Sequence, residues 1–320
     1  MKMEPLLKAE KVSVSYRTRR GYLGALDGID LDLVNGETLG IVGETGCGKS
    51  TFGKAVLGIL PSKTRVQGRI VFHGRDLVRT SESEFRSIRG KDIALIFQDP
   101  MTRLNPLMRI EDHFVEEITA HEAISPSEAR KRAGDALRSM GIPESRFRNY
   151  PHEFSGGMRQ RIMIAMAIVL QPSLLIADEP TTSLDVITEA HILEILEDLK
   201  AVRNMTLLLI THNLGIVAEV CDRVAVFYAG KLVELGSVDD IFAHPIHPYT
   251  QGLLASVIHL DSHELKSIEG FPPDLLMPPS GCRFHPRCPY AQQVCHETVP
   301  PLVEFKPGHF AACLFGEQFL

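Results

Sequence analysis

Between positions 43 and 51 the chain reads Gly43-Glu44-Thr45-Gly46-Cys47-Gly48-Lys49-Ser50-Thr51, which fits the phosphate-loop pattern G-x-x-x-x-G-K-[ST]. Glycines in such a loop let the backbone amides turn toward one anion, and the helix that follows adds the partial positive charge of its N-terminus. Lys49 then bridges the β- and γ-phosphates of a nucleotide, and Ser50 ligates Mg²⁺. Cys47 occupies a variable loop position and reads as a small filler. A second constellation is Asp178-Glu179, two acids directly after the apolar run Leu174 to Ala177. Acids delivered at the carboxyl end of a buried strand stand where parallel α/β sheets bind nucleotides. Asp178 is expected to hold the Mg²⁺ shell, directly or through water, and Glu179 to act as general base toward the attacking water.

Thiols form a third constellation. Four of the six cysteines, Cys282, Cys288, Cys295 and Cys313, fall near the C-terminus with five, six and seventeen intervening residues. These spacings differ from the short-spaced runs of ferredoxins and zinc fingers, so they do not name a metal. Four thiolates in a proline-rich stretch still suggest a site in which coordination bonds replace a hydrophobic core. His285 and His296 are near enough in sequence to be alternative ligands.

The elements that must position these residues are legible from periodicity. Val12, Val14 and Tyr16, then Leu26, Ile29, Leu31 and Leu33, follow the alternating pattern of antiparallel strands. Thr38 to Val42 reads as a short buried strand, and a helix after the phosphate loop runs through about Ile59. Further buried strands are expected at Ile93 to Phe97, Leu174 to Ala177, Leu207 to Ile210 and Val224 to Phe227, with an amphipathic helix from about Val186 to Val202. This alternation predicts an α/β fold around a parallel sheet. Ile110, Phe114 and Ile118, and then Ala129, Ala133, Ala136, Leu137 and Met140, recur at helical spacing and predict a helical insertion. Gly230-Lys231 turns into Leu232 to Leu235, Val238 to Ala243 is a short helix, and from His244 a proline-rich tail is expected.

Composition narrows the function classes. A chain of 320 residues with 44% hydrophobic content can bury a full α/β core and carry a smaller addition. Net charge is −6, with positive charge only in short clusters, so no nucleic-acid footprint is expected. The longest strongly apolar run, Ile162 to Leu170, has nine residues, against the roughly 20 that span a bilayer. The opening residues lack the apolar core of a signal peptide, which predicts a cytoplasmic chain without disulfides.

Phe154-Ser155-Gly156-Gly157-Met158-Arg159-Gln160-Arg161 resembles the signature of ABC-type ATPases, and it lies ahead of the acidic strand as in that family. Ser155 is also placed to cap the helix from Met158 to Leu170. Gln98 matches the Q-loop residue, Ser183-Leu184-Asp185 the D-loop and His212 the switch histidine. Tyr16 matches the adenine-stacking aromatic, with Tyr22 as the alternative. The resemblance covers about residues 6 to 260. It implies a RecA-like P-loop NTPase core (1–98 and 156–243) with an N-terminal antiparallel β subdomain, a helical subdomain (99–155) and a Cys-rich C-terminal extension (244–320). Within it, Ser50, Gln98 and Asp178 serve Mg²⁺, and Glu179, His212 and Gln98 serve hydrolysis. Tyr16 and Gly43 through Thr51 hold ATP. Ser155, Gly156, Gly157 and Asp185 reach the ATP of a second subunit in a sandwich dimer.

His247-Pro248-Tyr249-Thr250 and Gly281 to Pro289 look like the tail of the dipeptide/oligopeptide permease ATP-binding subunits, and Met158 is typical of one of their two paralogous ATPases. The resemblance implies a 4Fe-4S cluster on Cys282, Cys288, Cys295 and Cys313, with zinc or free thiols as alternatives and a structural staple as its default role. Implied partners are a second ABC ATPase subunit (a paralog or a second copy), two membrane-spanning permease subunits docking on Asp99 to Pro106 and the helical insertion, and indirectly a substrate-binding protein. The implied location is the cytoplasmic face of the membrane. Alternatives are a related importer of nickel or sugar, a soluble ABC-type ATPase of nucleic-acid or translation machinery, and a metal-dependent regulatory module.

Overall fold

The computed structural model describes residues 4–97, 104–181, 186–203, 205–256 and 268–320. It divides into two compact units, Met1–Arg79 with Ile210–Leu320, and Thr80–Leu209.

The chain begins in the first unit with an antiparallel pair, β1 (Leu7–Thr18) and β2 (Gly21–Leu33). Val12, Val14, Ile29, Leu31 and Leu33 point into the core with period two. Leu26, three residues before Ile29, joins the same face because the β1–β2 register shifts between the Val12–Ile29 and Val14–Leu26 pairs, where Gly28 takes φ 65°. Strand β3 (Thr38–Val42) is buried along its whole length and leads through the glycine loop into helix α1 (Lys49–Val56). Gly58 adopts φ 62°, which ends the helix short of the expected Ile59 because a left-handed residue cannot continue a right-handed one. Strands β4 (Arg65–Phe72) and β5 (Arg75–Asp76) complete a sheet of order β2-β1-β4-β5. Sequence reading missed β4, whose first five residues are all at least partly exposed and give no alternation.

The second unit opens with α2 (Glu82–Ile88), closed at its N-terminus by a reciprocal Ser81–Glu84 capping box. Strand β6 (Ile93–Ile96) follows, then α3 (Ile110–His121), α4 (Pro126–Ser139) and α5 (Gly156–Val169). Ile110, Phe114, Ile118, Ala129 and Leu137 are fully enclosed where these three helices pack together, so the helical spacing marked the buried faces. Strand β7 (Leu174–Asp178) runs parallel to β6, from Ile93 opposite Leu174 to Ile96 opposite Ala177. Helix α6 (Val186–Arg203) and strand β8 (Thr206–Ile210) complete the unit, with strand order β8-β7-β6.

Back in the first unit, α7 (Leu214–Val220) precedes β9 (Arg223–Tyr228), which is parallel to β3. Strand β10 (Lys231–Ser237) turns back antiparallel on β9 and leads to α8 (Val238–Ala243) and α9 (Pro248–Ala255). The C-terminal stretch then supplies α10 (Gln293–Glu297), β11 (Val303–Lys306) and β12 (His309–Ala311). Strand β12 pairs with β10, giving the order β11-β12-β10-β9-β3. The cysteine-rich segment thus extends the same sheet that carries the phosphate loop. Glu234 on β10 is wholly buried, and its carboxylate accepts from the Ile246 and His247 amides at 2.6 and 2.9 Å and meets His309 Nε2 at 2.8 Å. Partners on both sides of this acid tie β10 to β12 and to the start of α9. Phe284 packs on Tyr228 and Tyr249 with ring centroids 5.2 and 5.4 Å away. The sequence predicts coordination bonds in place of a hydrophobic core here; the aromatic side chains of Phe284, Tyr228 and Tyr249 nevertheless form one.

Candidate nucleotide site

The phosphate loop sits where buried β3 ends. Gly43 takes φ 143°, and a Cβ there would stand 2.1 Å from the Phe227 carbonyl oxygen, so only glycine lets the loop leave the strand beside β9. Gly48, at the N-cap of α1, takes φ 111°, and its Cβ would meet the Ala25 carbonyl at 2.6 Å. Lys49 is buried, and its ammonium donates to the carbonyls of Gly43 at 2.7 Å and Glu44 at 3.2 Å. Its charge is therefore held inside the curl of the loop that would receive phosphate oxygens. Cys47 is buried, and burial pushes its thiol pKa up, in keeping with a packing role. The Tyr16 hydroxyl donates to Thr51 Oγ1 at 3.0 Å, which places that ring beside the start of α1. Tyr22 lies under the Arg65 guanidinium, 3.7 Å from the ring centroid.

Contacts from far along the chain fix the loop. The Glu44 amide donates to Tyr249 Oη at 2.9 Å, and the Glu44 carboxylate receives both Arg287 Nη atoms at 2.7 and 2.9 Å. Arg287 is almost enclosed, and the Glu44 carboxylate raises its pKa above the ordinary guanidinium value. Arg283 donates to the Ala229 carbonyl and, at 2.6 Å, to Asp27. Gly230, next to Ala229, donates its amide to the Cys47 carbonyl at 2.9 Å. Tyr249, Arg283 and Arg287 were absent from the candidate site residues. The sequence marks all three only as part of the family-like stretches His247 to Thr250 and Gly281 to Pro289; it gives no sign that they reach Glu44 and Asp27, which lie 205 to 256 residues away. His212 follows β8 and is exposed, ahead of Asn213, whose side chain caps α7.

In the second unit Ser155 caps α5, accepting from the Met158 amide at 3.4 Å, and Gly156 is exposed beside it. Arg146 donates to the Glu153 carbonyl, stacks 4.4 Å from the Phe154 ring centroid and lies 3.5 Å from Met158 Sδ. Gln160 donates from inside α5 to the Pro180 carbonyl, tying the signature helix to the end of β7. There Asp178 is buried and Glu179 takes φ 49°, a left-handed conformation uncommon for a residue with a side chain. Gln98, Ser183, Leu184 and Asp185 lie outside the described residues, as do positions 99–103 of the expected docking segment.

The four C-terminal cysteines face one apolar pocket that is also lined by Phe284, Phe315 and Phe319. Burial raises the thiol pKa of Cys282 and Cys288, and pushes Cys313 up to about 11. Among the described residues no group of three or more His, Cys, Asp or Glu side chains stands close enough to hold a metal ion. Thiols are the donor type of a thiolate-bound metal centre, but among the described residues these four are not arranged as a coordination shell. The His285 and His296 rings lie against each other at a 41° tilt, with centroids 4.0 Å apart.

A phosphate loop between strand and helix, with a capped Ser-Gly-Gly helix and an acidic strand end, defines an ABC-type ATPase. The ABC transporter family model matches residues 26–182, and that of the oligopeptide/dipeptide transporter C-terminal region matches residues 233–295. The chain belongs to the ABC transporter family. It is 48% identical over 322 residues to the dipeptide transport ATP-binding protein DppD of Bacillus subtilis, covering 99% of this chain and 96% of that protein. It is 46% identical to the oligopeptide transport ATP-binding protein OppD of Salmonella typhimurium, covering 96% and 93%. Among solved structures, a dimeric post-hydrolysis ATP-binding cassette, MJ0796 bound to ADP and Pi, aligns with TM-score 0.66 at 26% identity over 72% of this chain and 98% of that one. The cbiO1 protein of Clostridium perfringens, part of the cbiONQ ABC transporter complex, aligns with TM-score 0.64 at 30% identity over 75% and 91%. Among the described residues no helix is long and apolar enough to cross a membrane.

Proposed function

We propose that this chain hydrolyses ATP to drive an importer of dipeptides or oligopeptides. It works at the cytoplasmic face of the membrane with a second ABC ATPase subunit, two permease subunits and a substrate-binding protein. The observation that carries this reading is the similarity along nearly the whole chain to DppD and OppD. The C-terminal region matched at residues 233–295 favours an importer over a soluble ABC-type ATPase of nucleic-acid or translation machinery.

In this reading Tyr16 stacks on adenine, Gly43 through Thr51 wrap the phosphates, and Lys49 neutralises the β- and γ-oxygens. Ser50, Gln98 and Asp178 serve Mg²⁺. Glu179 takes a proton from water as the water oxygen attacks the γ-phosphorus; the bond to the β-phosphate oxygen breaks, and ADP and phosphate leave. His212 contacts the γ-phosphate. Ser155, Gly156, Gly157 and Asp185 complete the site of the neighbouring ATPase subunit. The core comprises 1–98 and 156–243, the helical subdomain 99–155 and the extension 244–320. Cells lacking the chain should lose uptake of a labelled dipeptide, and the wild-type chain but not Glu179→Gln should restore it. Uptake that persists without the chain, with uptake of another cargo lost instead, would overturn the peptide assignment.

The same reading places a 4Fe-4S cluster on Cys282, Cys288, Cys295 and Cys313 as a structural staple. Support comes from four thiols facing one pocket; binding would draw them together and displace their protons. Visible absorbance and iron content of anaerobically purified protein test it, and zinc in place of iron would reject the cluster.

A further inference from the structure

We infer that the cysteine-bearing extension braces the phosphate loop, so that ATP affinity depends on Arg287, Tyr249 and the fold of the segment that carries them. The inference rests on the reading of Gly43 to Thr51 as the ATP phosphate loop. Glu44, the second residue of that loop, is held at three points. Its amide donates to Tyr249 Oη, its carbonyl accepts from Lys49 Nζ, and its carboxylate is clamped by both terminal nitrogens of Arg287. Tyr249 is wholly buried in a cluster with Tyr228 and Phe284, and Arg287 also donates to the Ile268 and Glu269 carbonyls at 3.3 and 2.9 Å. Neither anchor is a loose surface side chain.

Chain position gives the brace its meaning. Arg287 directly precedes Cys288, and Arg283 directly follows Cys282. Arg283 holds the Ala229 carbonyl, and the adjoining Gly230 amide holds the Cys47 carbonyl in the middle of the loop. Two arginines flanking two of the four pocket-lining cysteines therefore reach the phosphate loop by separate routes. A loop that binds phosphate through backbone amides must hold them in one orientation, and ordering it in advance reduces the entropy lost on binding. Bidentate charged pairs fix direction as well as distance. Arg287 and Tyr249 are positioning residues: they act through Glu44 and do not touch the nucleotide.

The test is ATP·Mg²⁺ binding to the full-length protein by titration calorimetry, with KM and kcat read in the complex with its membrane subunits. Arg287→Met should raise Kd and KM about tenfold and leave kcat within about twofold, a loss on the scale of one charge-assisted hydrogen bond. Arg287→Lys, which keeps a charge and one bond, should recover to about threefold. Tyr249→Phe should raise Kd about threefold, and it serves where Arg287→Met does not fold. Cys288→Ser should also weaken binding, and combined with Arg287→Met it should add less than the product of the two effects. Kd within about twofold of wild type in both Arg287→Met and Tyr249→Phe would overturn the brace. An equal loss in Arg287→Lys and Arg287→Met would overturn it as well. Lys49→Ala separates the two layers: normal ATP binding in that variant rejects the loop assignment itself, while loss of binding there with normal binding in Arg287→Met rejects only the brace.

Discussion

The phosphate loop and the Ser155–Gly157 turn both present a helix N-terminus, yet they are held in place differently. The phosphate loop is secured by residues that follow it by about two hundred positions, Tyr249 at 2.9 Å and Arg287 at 2.7 and 2.9 Å. The signature turn is secured from close by, through its own Ser155 cap, the Arg146 guanidinium over Phe154 and the Gln160 bond to Pro180. A motif supported from afar transmits changes in a remote segment, whereas one supported locally keeps its shape when that segment is disturbed.

Substitutions separate the two regimes. The largest effects belong to the chemistry itself: Glu179→Gln should cut ATP turnover by at least about 10²-fold and accumulate an ATP-bound dimer on size exclusion, while Lys49→Ala should abolish binding. Near-normal turnover in Glu179→Gln would reject the base assignment. Next is the roughly tenfold loss of ATP affinity in Arg287→Met argued above. By contrast, Arg146→Ala should leave ATP affinity unchanged and lower the thermal stability of the second unit by about 1 kcal/mol, the scale of a cation–π contact with one hydrogen bond. Loss of ATP affinity in that variant would erase the contrast.

The two units should also differ in pH response. In the second unit, partly buried Glu117 has its pKa raised to about 7 by burial, with Oε2 unpartnered. Its native form binds the proton more tightly than the unfolded chain, so its contribution to stability falls as pH rises from 4.5 toward 7. In the first unit His247 is buried, and burial depresses its pKa to about 4. Here the unfolded chain binds the proton more tightly, so stability is complete above 6.5 and declines as pH falls toward 4. Hydrogen exchange resolved by unit should show these opposite slopes, and Glu117→Gln should flatten the first alone. Parallel slopes in both units would contradict the assignment.

The contrast between near and far support also explains what the sequence reveals. Loop, cap and buried strands are written in neighbouring residues, so the glycines at 43 and 48, Ser155 at the start of α5 and the apolar runs of β3 and β7 are readable directly. The Ser81–Glu84 box is equally local, written within four consecutive residues. Strand β4 escapes because its first five residues are all at least partly exposed and carry no alternation. Prolines in the C-terminal stretch predict a tail from His244 but say nothing of a place in the sheet. Its attachment depends on Glu234, buried beside His309, and on Phe284 between two tyrosines, pairings that no local pattern encodes. Glu44 has the same character, since nothing in its neighbourhood announces a partner at Arg287.

The most direct test of the central claim is ATP hydrolysis by this chain assembled in proteoliposomes with its permease subunits, its partner ATPase and a substrate-binding protein. Peptide-loaded binding protein should raise the rate severalfold over the unloaded protein, and Glu179→Gln should remove that stimulation. A rate indifferent to peptide, or one stimulated instead by nucleic acid in the absence of the membrane subunits, would contradict the account.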